Sequence, residues 1–206
     1  MVERDCVLMV FSKAPVPGSV KTRLIPVLGE EGCTELYKSL LHRTLQTCQD
    51  AGFSNIQLWC FPDTSHPYFT TCSGLFGTSL QEQRGGDLGE RMWFALSDAL
   101  QQHPHGIIIG CDCPGLSPQD LIHAADMLEK GYDIVIGPSE DGGYYLLGGN
   151  VAECDLFRDI NWGTSAVLSL TRDRIRELKL SCYELQEHWD IDKPKDLRRW
   201  EIGYGK

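Results

Sequence analysis

Three short apolar runs, Cys6-Val-Leu-Met-Val-Phe11, Gly106-Ile-Ile-Ile-Gly110 and Asp133-Ile-Val-Ile-Gly137, constrain this chain more than any other feature. Each is apolar at successive rather than alternate positions and too short for an ordinary helix, so each reads as a strand buried on both faces. Such strands need a layer on either side. Helix-period segments supply those layers. Cys33, Leu36, Tyr37, Leu40, Leu41, Leu45 and Cys48 predict a helix over about 30–51, closed by Gly52 in a left-handed cap. Leu88, Met92, Ala95, Leu96, Ala99 and Leu100 predict a second, which Pro104 ends. Ser117-Pro118-Gln119-Asp120 starts a third, which ends near Gly131. Thr164 or Ser165 caps a fourth to about Leu178, and a closing helix begins at Pro194. Asn55–Phe61, Ser79–Gln83, Tyr144–Gly148 and Ser181–Leu185 add strands, and the polar passage 62–78 receives no element. Strands alternating with helices imply right-handed crossovers. The expected fold class is therefore α/β, a three-layer sandwich with a mostly parallel sheet, organised as one domain over 1–206. In such sheets ligands bind at the carboxyl ends of the strands.

Composition narrows the function classes. At 206 residues the chain has room for a sizeable core, and 42% hydrophobic with 23% charged residues excludes a disordered chain. A net charge of −10 argues against coating nucleic acid. The nine cysteines include no C-x-x-C pair and fall mostly in apolar runs, which predicts reduced thiols in a cytoplasmic protein. Residues 1–11 offer neither a cleavable leader nor the roughly 20 apolar residues of a membrane span.

Against the acidic total, the segment between Asp5 and Glu30 contains no acid and three cations, Lys13, Lys21 and Arg23. Pro15 and Pro17 stiffen it, and Gly18 permits close backbone approach. It reads either as a phosphate grip at the end of the first strand or as a solvated basic loop. A P-loop is excluded because Val20 and Pro15 stand where that motif needs glycines. The Rossmann glycine pattern is absent too, which weakens a dinucleotide-dependent dehydrogenase. Asp112 follows the Ile-Ile-Ile strand, and its carboxylate should emerge at the ligand edge, either as a ligand to a hard divalent ion or as a cap on the turn before Pro114. Cys111 and Cys113 read as packing residues. The Glu140-Asp141-Gly142-Gly143 loop is a plain hairpin turn or a ligand loop. Asp190 and Asp192 alternate in an extended stretch and so face the same way, with Asp192 either a second acid near the metal or a helix cap.

Five segments in order, Phe11-Ser-Lys13-Ala-Pro15-x-Pro17-Gly18-x-Val-Lys21-Thr22-Arg23-Leu24, Gly86-Asp-Leu-Gly-Glu-Arg91-Met92, Ile109-Gly-x-Asp112-x-Pro114-Gly-Leu116, Gly137-Pro-x-Glu-Asp141-Gly-Gly-Tyr144 and Asp190-Ile-Asp192-x-Pro-x-Asp-Leu197, together resemble the bacterial DUF2064 family of the glycosyltransferase-A-like (nucleotide-diphospho-sugar transferase) superfamily. The resemblance implies a seven-stranded or similar mixed sheet that binds a nucleotide and Mg²⁺ or Mn²⁺ at its carboxyl edge. It implies phosphate contacts for Lys13, Gly18, Lys21 and Arg23, with Lys21, Arg23 and Asp112 catalytic and Asp112 and Asp192 on the metal. Gln83, Gly86 and Asp87 are expected beside the nucleoside. Asp141, Gly142 and Gly143 are expected to face the acceptor or sugar, with Trp162 either a wall of that pocket or a core aromatic. The partners so implied are a nucleotide or nucleotide sugar and a small-molecule acceptor. The usual D-x-D of glycosyltransferases would need an acid where Pro114 stands, whereas D-x-P and the closing D-I-D are similar to cytidylyl- and guanylyltransferases. Glycosyl transfer is the leading expectation. Nucleotidylyl transfer with release of pyrophosphate is the second, and a non-catalytic nucleotide sensor the third.

Overall fold

The computed structural model describes residues 5–204, with side chains to residue 200; the reading of residues 1–4 as lacking a leader lies outside them. Seven strands form one sheet: β1 Cys6–Lys13, β2 Ile56–Phe61, β3 Ser79–Glu82, β4 His105–Gly110, β5 Ile134–Pro138, β6 Tyr144–Gly149 and β7 Cys182–Glu184. Their order is β3-β2-β1-β4-β6-β5-β7, parallel throughout except that β6 runs antiparallel to both β4 and β5. This is the expected mostly parallel α/β sandwich.

The apolar runs are buried on both faces for the reason read from their sequence. In β1, Leu8 and Val10 join one core while Val7 and Met9 join the other, and in β4 Ile107 and Ile109 oppose Ile108. The first core is covered by α1 Ile25–Asp50, α2 Pro67–Phe76 and α4 Pro118–Glu129; the second by α3 Leu88–Ala99 and α5 Val167–Glu177. The last helix, α6 Pro194–Tyr204, seats Leu197 with Leu24, Leu40, Trp189 and Ile191 in a third cluster against α1.

Three local expectations change. The first helix starts at Ile25 rather than 30, with Pro26 in its first turn and a break at Gly29, φ 68°. The passage 62–78 contains α2, whose first turn is capped by His66: its Nδ1 accepts from Tyr68 N at 3.2 Å. The fourth predicted helix begins after Ala166, with no side-chain cap from Thr164 or Ser165. Instead the carbonyl of Gly142 accepts from Leu168 N at 2.8 Å, so main chain from the β5–β6 loop satisfies a first-turn donor. Cys111 and Cys113 are core residues, and burial pushes both thiols up to about 12. Among the described residues no helix is long and apolar enough to cross a membrane.

Candidate active site

Because β1 and β4 run in parallel, Lys13 and the Gly110–Asp112 stretch leave the sheet at the same edge. The antiparallel β6 begins at that edge, which brings the 139–143 loop beside them. Residues 188–192 then return along it: Ser139 bridges His188, and Ile191 N donates to Asp112 O at 3.0 Å. Four separate segments therefore meet where the sequence locates a ligand.

At their junction the ammonium of Lys21 lies 2.6 Å from Asp112 Oδ1 and donates to Ile191 O at 2.5 Å. The Lys21 side chain is 3% exposed, that of Asp112 49%. Burial, the largest single influence, would drive the Lys21 pKa down, but the charge and hydrogen bond of Asp112 together with the fields of Cys111 and Asp190 outweigh it and the value rises. Asp112 thus does not cap the turn; its main chain and carboxylate both hold other segments. Arg23 pairs with Asp192 on the outer side. Asp192, expected beside the metal, gives its carboxylate to Arg23, whereas Asp190 is the acid that shares a field with Asp112. Both still line one small cleft of about 240 Å³, with Glu140, Asp141 and Lys193. Arg199 of α6 fixes one of these lining side chains, donating to both carboxylate oxygens of Glu140 at 3.0 and 2.9 Å.

Asp190 is the residue that motif reading undervalued. Ser139 Oγ donates to its Oδ2 at 2.5 Å. Burial, with Asp112 and Asp141 nearby, pushes its pKa up to about 7, although the Ser139 bond and Lys21 pull the other way. Its sequence signal was its place between Trp189 and the fully buried Ile191. The folded protein holds this proton to about pH 7, whereas an unfolded aspartate releases it near pH ~3.9. Between those values the native state binds more protons than the unfolded chain, so this group's contribution to stability declines as pH rises from about 4 through about 7. Asp190→Asn should therefore raise the melting temperature more at pH 8 than at pH 5. Equal shifts at the two pH values would contradict the burial of an ionisable Asp190.

Other expected contacts are occupied within the protein. Gln83 is buried and its amide donates to Trp59 O at 2.8 Å and Ser12 O at 3.4 Å, tying the loop after β3 to β1 and β2. Gly86 N donates to Glu90 Oε2 at 2.7 Å, and Asp87 Oδ1 caps α3 by accepting from Glu90 N at 2.8 Å. Gly142 N donates to Ser139 O and Gly143 N to Asp141 Oδ1, so both glycine amides are spent inside the turn. The loop therefore offers shape and the carboxylates of Glu140 and Asp141 rather than the amides of Gly142 and Gly143. Trp162 lies against Gly89 of α3 and edge-on to Tyr144, packed on the second core, which is its core-aromatic reading. Gly18 adopts φ 79° beside Glu30, and Lys13 is exposed at the end of β1.

A larger cleft of about 520 Å³ runs from Gly85 and Asp87 along the outer side of α3 to residues 154–159. Trp93 and Phe94 lie on one side, Phe157 and Arg158 on the other, and Arg84 stacks over Phe94 at 5.3 Å. Trp93 is fixed by donating its Nε1 proton to Ala152 O at 3.1 Å.

A divalent cation would find hard oxygen donors at this edge. Among the described residues no three acidic, histidine or cysteine side chains converge as a closed cage. Asp112 and Asp190 instead form the kind of one- or two-carboxylate set that Mg²⁺ completes with phosphate and water. Burial chiefly, and the neighbouring Asp112 and Asp141 carboxylates in addition, disfavour the ionised form of Asp190, and a cation would offset both. The donor set fits such an ion.

A family model described as an uncharacterized protein conserved in bacteria, DUF2064, matches residues 44–164, more than half of the chain. No curated protein sequence matches. Among solved structures, a protein from Desulfovibrio desulfuricans G20 provisionally assigned as a nucleotide-diphospho-sugar transferase superposes with a TM-score of 0.85 at 29% identity, covering 98% of this chain and 89% of its own. A cytidylyltransferase from Leptospira borgpetersenii gives 0.60 at 12% identity, covering 95% and 84%. Glucosyl-3-phosphoglycerate synthase from Mycobacterium tuberculosis, in complex with Mn²⁺ and UDP, gives 0.57 at 11%, covering 95% and 75%. The fold is that of the glycosyltransferase-A-like nucleotide transferases.

Proposed function

The chain belongs to the DUF2064 family, and from that premise we propose that it is a transferase acting as one domain on a nucleotide-diphospho-sugar, passing the sugar to a small-molecule acceptor. The observation that carries this reading is the meeting of Asp112, Asp190 and the basic loop at the carboxyl edge of a sheet with this fold. When a sugar leaves its nucleotide, negative charge builds on the diphosphate oxygens, and fixed cations lower that barrier. Lys13, the last residue of β1, and Arg23, which pairs with Asp192, are the loop's exposed cations. Asp112 and Asp190 would hold Mg²⁺ or Mn²⁺, which when bound would supply charge neutralisation at the phosphates. Ser139 orients Asp190, and Ile191 N fixes the main chain of Asp112. Gln83 shapes the nucleoside side by locking the loop that carries Gly86 and Asp87.

The 520 Å³ cleft suits the acceptor, because it opens at the Gly85–Asp87 loop and combines aromatic walls with Arg84 and Arg158. Trp93→Ala is expected to raise the acceptor KM about tenfold, or ~1.4 kcal/mol, and to leave nucleotide affinity unchanged. Steady-state kinetics with each substrate varied in turn separate the two effects. A rise in nucleotide KM alone would move the acceptor elsewhere.

A thermal-shift screen of nucleotides and nucleotide sugars, with and without Mg²⁺, tests the function as a whole, since ligands that bind only the native state stabilise it. Selective stabilisation by a nucleotide sugar supports glycosyl transfer. Pro114, standing where the metal motif of glycosyltransferases has a second acid, favours nucleotidylyl transfer as the second reading. Pyrophosphate release from a nucleoside triphosphate and a phosphorylated acceptor would establish it instead. Tight nucleotide binding without turnover across an acceptor panel would indicate a sensor.

A further inference from the structure

Lys21 departs from the behaviour of a phosphate ligand in three respects. Its backbone is left-handed, φ 49° and ψ 38°, a region that residues other than glycine seldom occupy. Its side chain is almost wholly buried, which lysine tolerates only when paired. Two of its three ammonium protons have acceptors already, on Asp112 Oδ1 at 2.6 Å and Ile191 O at 2.5 Å.

The surroundings explain why a cation is kept there. Asp112, Asp190 and Asp141 share this corner, and unscreened carboxylates so close repel one another. The ammonium joins the loop after β1 to the end of β4 and to the 190–192 stretch, the same stretch whose Ile191 N donates to Asp112 O. It therefore fills, with a charge of one, the place that an incoming metal would fill with a charge of two.

We propose that Lys21 is a resident counter-ion: in the ligand-free protein its ammonium holds the cation position at Asp112, and a divalent ion must compete with it for that carboxylate. This rests on the reading of Asp112 as a metal ligand. A nucleotide diphosphate gives the displaced ammonium a new acceptor, so the divalent ion and the nucleotide strengthen each other's binding. That coupling is necessarily reciprocal.

Calorimetric titration of Mn²⁺ into nucleotide-free protein tests the proposal. Lys21→Met is expected to bind Mn²⁺ at least about tenfold more tightly than wild type, because a competing positive charge a few ångströms away has gone. Equal or weaker affinity in the folded variant overturns the proposal. Should Lys21→Met fail to fold, the wild-type protein supplies a second readout. A buried, hydrogen-bonded ammonium exchanges slowly enough to give its own proton–nitrogen NMR signal, which Mg²⁺ should shift or remove. A signal unchanged at calorimetric saturation with Mg²⁺ also overturns it. Asp112→Asn separates the two levels of the argument. If it leaves Mn²⁺ affinity at the wild-type value, the metal assignment of Asp112 fails and the counter-ion proposal with it. If it removes Mn²⁺ binding while Lys21→Met matches wild type, the counter-ion proposal fails alone.

Discussion

Replacing Asp112 by Asn is expected to reduce metal-dependent nucleotide binding by more than about a hundredfold, since losing even an outer-shell partner of a bound metal costs 10- to 100-fold. The side chain keeps its size and one acceptor oxygen, so the main-chain bond from Ile191 N to Asp112 O survives. What disappears is the negative charge facing Lys21. The stability cost should lie between that of an exposed ion pair, under ~1 kcal/mol, and that of breaking a buried one, ~3–5 kcal/mol, because only the lysine is buried. Titration of nucleotide with and without Mg²⁺ gives the first number and denaturant unfolding the second. A variant that is stable and binds nucleotide in the same Mg²⁺-dependent way would remove Asp112 from the site.

Gly142→Ala should be the most damaging single methyl group in the molecule's ligand edge. A β-carbon there would stand 2.2 Å from Ser165 O, with Ser165 C and Cα at 2.8 Å, and the residue has φ 89°. Left-handed strain alone costs ~1–3 kcal/mol, and the obstacle is main chain that cannot rotate away. The loop must also give up its bond from Leu168 N, which starts α5. We expect a loss of at least about 3 kcal/mol, or roughly 6–12 °C in melting temperature for a chain of this length. Unfolding curves showing a loss below about 1 kcal/mol would mean that the turn relaxes freely. Glycosyl or nucleotidylyl transfer should weaken in parallel, because Asp141 and Ser139 belong to the same turn.

The sequence was most legible where physics is local. Continuous apolar runs identified β1, β4 and β5 because burial on both faces leaves no polar position to hide them. Gly52, at φ 79°, closes α1 as its position suggested. Helix α2 escaped because Pro62, Pro67 and polar neighbours mask its apolar face, although Phe69, Cys72 and Phe76 recur at helical spacing. At the site, Asp112 was legible from the strand that ends beside it. The partnership of Lys21 with Asp112 and Ile191 was not, because no local pattern encodes a contact across 170 positions. The difference between Asp190 and Asp192 is illegible for the same reason: the two alternate along one extended stretch, and only Ser139 and Arg23 decide which is buried and which is paired outside.

That span of 170 positions also sets an order in time. A ribosome adding ~5–20 residues per second leaves roughly 10–30 s between the emergence of Lys21 and the existence of Ile191. During that interval the growing chain can pair β1 with β2 and β4 and cover them with α1 to α4, yet the ammonium has no carbonyl at position 191 to receive it. Pairing of the first four strands and completion of the ligand edge are therefore separate events in the life of the chain. A chain with its first four strands paired still lacks one side of the candidate site, and the arrival of residues 189–192 supplies it.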